Sequence, residues 1–335
     1  MNQMADRDGT VPTQKDRATN IARAVGIAVL VVALFLLPHF VPPFHVFLLT
    51  RILFLALAAM SFVLLAGFGG MLSLGQTAFY GLAGYTVAIG SVRHGLDTIV
   101  VLPLGILLAI LLGATFGALA VRTRGIYFLV MTVAFGQIAY SIALQWNVVT
   151  GGYDGLTGVR PPTLFGHTIS GSVEMYYFTI VPVILLYLAL KRFVRSPCGI
   201  ALQGVRDNPK RMAALGFNVN LQRYVAIVIS SGVAGMAGVL AAYFYGLIGP
   251  DMIGLDAGVT ILFVSLLGGV GYFEGAIVGA TVYVLLEDIA SQVTDRYRMI
   301  IGVLFVLIVL FLPKGIVGVR SAVARFRSGS GKRGR

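Results

Sequence analysis

Charge and sulfur chemistry are both scarce in this sequence. Of 335 residues only 11% are charged and 13 are acidic, against 58% apolar, too few charges for the surface of a soluble protein of this size. The one cysteine, Cys198, excludes an intrachain disulfide and leaves the redox compartment unmarked. The four histidines, His39, His45, His94 and His167, are scattered, and no H-E-x-x-H or paired-cysteine spacing offers a metal site. The terminal "GSGKRG" lacks the G-x-x-x-x-G-K-[ST] spacing of a phosphate loop, with neither strand before it nor helix after it. The expectation is no catalytic residue, no metal, no cofactor and no nucleotide site.

What the chain does have is long stretches without charge: 24–50, 52–92, 98–121, 126–153, 225–250 and 299–313. About 20 apolar residues cross the hydrocarbon as a helix, so 52–92 is long enough for two passages. The net charge of +12 lies mostly in tails and short loops: Lys15, Arg17 and Arg23; Arg122 and Arg124; 191–223; and 314–335. That distribution reads as positive-inside topology and not as a nucleic-acid surface. Arg51, Arg93, Arg160, Arg296 and Arg298 are left at or near outer ends.

The expected fold is all-α, a polytopic transmembrane bundle of about ten crossings with short or broken helices among them. They fall near 24–38, 46–66, 68–91, 98–120, 126–146, 176–194, 223–247, 257–270, 275–290 and 299–313. The first apolar run lacks a small-residue cleavage site and is followed by "LLPHFVPPFH", so it reads as a retained helix. The pair at 257–290, turning at "GGVGYFEG", keeps both termini cytoplasmic; a re-entrant hairpin there is the open alternative. Residues 1–20 and 319–335 form polar and basic cytoplasmic tails around a membrane domain at 21–318. The outer loop 147–171, rich in Gly, Pro and Thr, has room for a short helix or a docking lip.

Glycine is abundant, and its spacing differs from place to place. Gly113 to Gly117, Gly271 to Gly275, Gly275 to Gly279, and the set Gly232, Gly235 and Gly238 fit close helix–helix packing through small residues. The stretch "GFGGMLSLGQTAFYGLAGY" crowds Gly67, Gly69 and Gly70 together, followed by Ser73, Gln76 and Tyr80. Either the helix is interrupted there and lines a pathway, or it packs tightly with Ser and Gln bonding between helices. A second glycine-interrupted segment at 268–283 stands in the other half, as broken-helix sites at repeat interfaces do, although no 20–50-residue repeat is evident. Acids within the apolar runs are few. Glu274, Glu287 and Asp288 fall at expected turns or ends, so no acid–base pair is evident in mid-membrane and no ion-coupling group stands out.

The longest cytoplasmic connection, 195–222, carries helix signals of its own. Asn208 suits an N-cap, Pro209 the first helical position, and Gly216 a left-handed C-terminal cap, bounding about two turns with Arg206, Lys210, Arg211, Ala213 and Ala214 in or just ahead of them. By spacing alone this is either a solvated elbow near lipid headgroups or a docking element.

"GIALQGVRDNPKRMAALGFNVNLQRYVAIVISSGVAGMAGVLAAYFYGLIGP", with "GFGGMLSLGQTAFYGLAGYTVAIG" before it and "VSLLGGVGYFEGAIVGA" after it, resembles the LivM-like permeases of ATP-binding-cassette (ABC) transporters for branched-chain amino acids. The resemblance covers roughly residues 50–318. It implies a permease subunit in a bacterial inner membrane, paired with a second permease, two ABC ATPase subunits and an extracytoplasmic amino acid-binding protein. It further implies that Asn208 to Gly216 is the coupling helix that enters an ATPase groove. Met212 stands before the alanines, where the broader EAA consensus begins with an acid. Urea or short amides are the alternative cargo, and an ion-coupled carrier the alternative class.

Overall fold

The computed structural model describes residues 35–164, 166–294, 296–311 and 315–317. The tails and most of the crossing expected at 24–38 lie outside these residues. After a helical stretch at 35–40 come α1 (Pro43–Val63), α2 (Gln76–Ala88), α3 (Thr98–Ala120), α4 (Ile126–Gln145) and α5 (Ser172–Arg195). Then follow α6 (Pro197–Asp207), α7 (Pro209–Ala214), α8 (Val219–Tyr245), α9 (Leu255–Gly268), α10 (Phe273–Val293) and α11 (Tyr297–Phe311). The fold is a helical membrane bundle. Helices stand at each expected crossing from 46 onward, and among the described residues six apolar segments are long enough to span a bilayer: Pro43–Phe68, Thr98–Ala120, Ile126–Gln145, Ser172–Arg195, Val219–Tyr245 and Pro250–Gly268.

Helices α1 and α8 form the centre and are buried along most of their length, while α3, α4 and α5 expose most of theirs. Such exposure suits helices whose outer faces meet lipid, because leaving lipid gains an apolar side chain nothing. The centre is held by close approach and a few polar contacts. A methyl group on Gly238 of α8 would collide with the Tyr80 carbonyl of α2, and one on Gly279 of α10 with the Val264 carbonyl of α9. Hydroxyls supplement this packing: Ser230 donates to the Ser61 carbonyl at 2.7 Å and Ser265 to the Ala59 carbonyl at 3.3 Å. Gly271 is the exception among the expected packing glycines, with open space around it.

The bundle has two unlike ends. At one, the loop 147–171 forms a single turn at Asn147–Thr150 and takes part in two small antiparallel pairs, β1 (Leu156–Thr157) with β4 (Leu247–Ile248), which follows α8, and β2 (Thr163–Leu164) with β3 (His167–Thr168). The Thr163 amide donates to Thr98 Oγ1 at 2.9 Å, tying this lip to the start of α3. At the other end, called here the basic end, lie Arg124, Arg206, Lys210 and Arg211.

Candidate functional site: a glycine joint and a charged cavity

The basic end is built around two chain breaks. The crossing expected from 68 begins only at Gln76, because α1 ends in a π-helical turn, Leu64–Phe68, and 69–75 is not helical. Gly70 has φ +65°, a conformation that costs a side-chain-bearing residue roughly 1–2 kcal/mol, so the chain turns there with little strain. The freed backbone is satisfied inside the protein: the Met71 amide donates to the Leu65 carbonyl at 2.9 Å, and the Leu74 amide to Thr132 Oγ1 of α4 at 3.2 Å.

The second break, Gly269–Tyr272, separates α9 from α10 and packs directly on the first. Gly67 admits the Val270 carbonyl where any side chain would collide, and the Phe68 and Phe273 rings stack with centroids 4.8 Å apart. The two glycine-interrupted segments, remote in sequence, therefore share one joint. Lys191 of α5 pins its rim, donating to Glu274 Oε1 at 2.7 Å, and Tyr187 donates to the same oxygen at 2.6 Å.

The connection 195–222 reaches this joint through α6. No helix was expected there, although Ser196 before Pro197 is the signal for one: Ser196 Oγ accepts from the Gly199 amide at 3.3 Å, and proline fills the first helical position. Leu202 and Val205 are buried, and Gln203 Nε2 donates to the Val194 carbonyl at 3.0 Å. At the end of α6, Arg206 Nη1 donates to the Gly67 carbonyl at 2.6 Å, while its Nε and Nη2 each lie 2.9 Å from Asp207 Oδ1. A bond that includes a charged donor is roughly twice as strong as a neutral one. Its length of chain lies against Gly70, which has no side chain to displace it: a methyl there would sit 2.7 Å from Arg206 Cγ.

Immediately beyond stands α7. Asn208 Oδ1 accepts from the Arg211 amide at 3.0 Å, and Pro209 opens the helix. Gly216, at φ +87°, closes it: its amide donates to the Ala213 carbonyl at 3.0 Å and that of Phe217 to the Met212 carbonyl at 3.1 Å. The six residues of α7 are fewer than the two turns expected, and none is buried. Lys210, Arg211, Ala213 and Ala214 are exposed, and Leu215 is 67% exposed just past them, while Met212 packs against Gly204 of α6. The helix thus presents a capped tip that combines cations, small residues and uncovered apolar surface.

The residues expected to line a pathway are divided by the structure. Gly67, Gly69 and Gly70 belong to the joint. Ser73 and Gln76 are 2% and 1% exposed. Tyr80 lines a cavity of about 910 Å³, large enough for a small-molecule site. Segments from α1, α2, α4, α8, α9, α10 and α11 surround it.

This cavity brings together two charged groups that the sequence reading places separately, each near a helix end. Glu287 sits well inside α10, six residues before its end, and Arg51 eight residues into α1; their side chains meet at 2.8 Å on the cavity wall. Helical periodicity does not reveal such a pair, since 236 residues separate its members. A charged residue inside an apolar run is the available signal, because charge there is costly unless paired or functional. Among the described residues no cluster of three or more His, Cys, Asp or Glu has metal-binding proximity.

A family model described as the permease component of the branched-chain amino acid transport system matches residues 44–310. The chain is 27% identical to the high-affinity branched-chain amino acid transport permease LivM of Salmonella typhimurium, over 79% of this chain and 68% of that one. It is 28% identical to LivH of Escherichia coli over 78% and 91%, and 29% identical to BraD of Pseudomonas aeruginosa over the same shares. No solved structure matches significantly. With the match spanning the broken helices, the joint and the cavity alike, the chain belongs to the permease-component family of branched-chain amino acid transport systems.

Proposed function

We propose that this chain is the membrane-spanning subunit of an ATP-driven importer of branched-chain amino acids, energised by separate ATPase subunits. The observation that carries the mechanism is the Arg206–Gly67 bond, which joins the residue next to the exposed helix α7 to the meeting point of the two broken helices. The printed names of the relatives supply the cargo class and favour it over urea or short amides. The basic end faces the cytoplasm under the positive-inside rule, with both termini on that side. A second permease completes the pathway, two ATPase subunits receive α7 of each, and an external binding protein delivers solute at the β-paired lip.

The working cycle follows from stiffness. Capping at Asn208 and Gly216 keeps α7 a rigid tip, and the buried face of α6 holds it against the bundle. Closure of the ATPases on nucleotide displaces the tip. Arg206 carries that displacement to Gly67, where an unwound segment shifts without breaking a regular helix. The two breaks then change together which end of the bundle is open. Arg206, Asn208, Pro209, Lys210, Arg211, Ala213, Ala214 and Gly216 make up the coupling element.

The test is reconstitution in vesicles. The subunit alone accumulates no leucine under any ion gradient, and the full assembly accumulates it only with ATP and the binding protein. Ion-driven accumulation by the isolated chain would replace this reading with that of a secondary carrier.

A further inference from the structure

The cavity beside α1 has one cation and three acids on its wall: Arg51 pairs with Glu287, Tyr245 and Tyr283 lie near the guanidinium, and Asp251 and Asp256 line the same cavity. Phe54, Leu255 and Phe263 line the same cavity. Arg51 and Glu287 are only partly covered, their side chains 25% and 16% exposed, so both are reachable from the cavity. We infer that this ion pair is a transit subsite for a zwitterionic α-amino acid, opened by exchange of partners.

A zwitterion entering an apolar region must have both charges met at once, because either left unpaired is expensive. Arg51 presents a planar fork that accepts a carboxylate bidentately, and Glu287 presents an acceptor for an ammonium. At rest the two satisfy each other. When the amino acid arrives, its carboxylate takes the guanidinium and its ammonium takes Glu287, so the number of paired charges is preserved and no charge is stranded. Asp251 and Asp256, exposed acids on the cavity lining, add negative field, which attracts the ammonium and disfavours simple carboxylates. The aliphatic side chain rests on Phe54, Leu255 and Phe263. A pair that served only to clamp α1 to α10 would have no use for the surrounding acids or for exposure to a cavity.

This subsite rests on the proposed amino acid cargo, and the test separates the two. The complete transporter, with its binding protein, is reconstituted in vesicles and leucine uptake is measured for the wild type, Arg51→Met, Glu287→Gln and the double variant. Each single change is expected to lower uptake by more than about ten-fold by leaving a charge unpaired. The double variant decides the matter, since replacing both partners of a purely structural pair is often neutral. Here it is expected to assemble, retain nucleotide-dependent ATPase activity without leucine, and still fail to transport. A double variant with wild-type uptake, or one that fails to assemble, assigns the pair to structure and overturns the subsite. A wild-type assembly that ignores leucine sinks the cargo reading instead.

Discussion

Helix α1 is held near both ends, by bonds of unlike kind. Near its start Arg51 meets Glu287, side chain to side chain, on the wall of a cavity. At its finish the Gly67 carbonyl accepts from Arg206, backbone to side chain, where the helix has already loosened into a π turn. Two long side chains facing open space can trade partners with a solute. A bond to the main chain, beside a glycine into which another strand of backbone is inserted, moves the chain itself. The first arrangement suits recognition and the second suits the transmission of force.

The comparison breaks most severely at Gly67. Gly67→Val would place side-chain atoms where the Val270 carbonyl now lies, and backbone cannot rotate aside as a flexible side chain does. Overpacking costs typically about 1–3 kcal/mol, and a backbone obstacle places this substitution at or above the top of that range. The expected result is loss of thermally stable assembly in detergent, with uptake lost as a consequence.

Arg206→Ala tests force without the obstacle. It leaves the core intact and removes the bond to Gly67 together with the exposed contact to Asp207, so the melting temperature of the assembly should scarcely change. Leucine uptake per ATP hydrolysed is expected to fall about ten-fold, the equivalent of roughly 1.4 kcal/mol of lost coupling, and Arg206→Lys should recover part of it. A wild-type stoichiometry in Arg206→Ala would show that force reaches the bundle by another route. Gly216→Val should uncouple in the same direction but less completely, because a β-branched residue at φ +87° frays the cap of α7 without cutting its link through α6.

How much of this was written in the chain depends on the range of each interaction. The all-helical bundle, the clustering of basic residues at one end and the caps of α7 are local or compositional, and they can be read from runs, turn residues and Asn208, Pro209 and Gly216 directly. The interruption after Gly67 was one of two open readings, and the crowding of glycines correctly marks a place of unusual backbone. That Ser73 and Gln76 turn into the protein and Tyr80 toward a cavity depends on tertiary packing, which spacing does not encode. Helix α6 was legible through Ser196 and Pro197 but was obscured by the polar composition of its surroundings. Arg51 and Glu287 were assigned to helix ends because the lengths of α1 and α10 were underestimated by a few residues at their margins. Charge at an apparent helix end looks cheap; the same charge a turn or two inside does not.

The smallest expected effect lies at the second break, and it sharpens the comparison because a glycine of the break and one in the first turn of α10 should behave oppositely. Gly271 is exposed, has no atom near the position of an added methyl, and does not require positive φ. Gly275, four residues on, faces the carbonyl oxygens of Gly269 and Gly268 at 2.6 and 2.9 Å from that position. Gly271→Ala is expected to be silent in uptake and to raise stability by about 0.4–1 kcal/mol through the lost freedom of the unfolded chain. Gly275→Ala must push two pieces of backbone apart and should lower both stability and uptake. Melting curves and leucine uptake on the two variants separate the roles. If the joint works by close backbone contact, only the glycine in contact matters; equal damage from both would mean that the turn needs glycine for flexibility, and the force would then be carried by bending within the break.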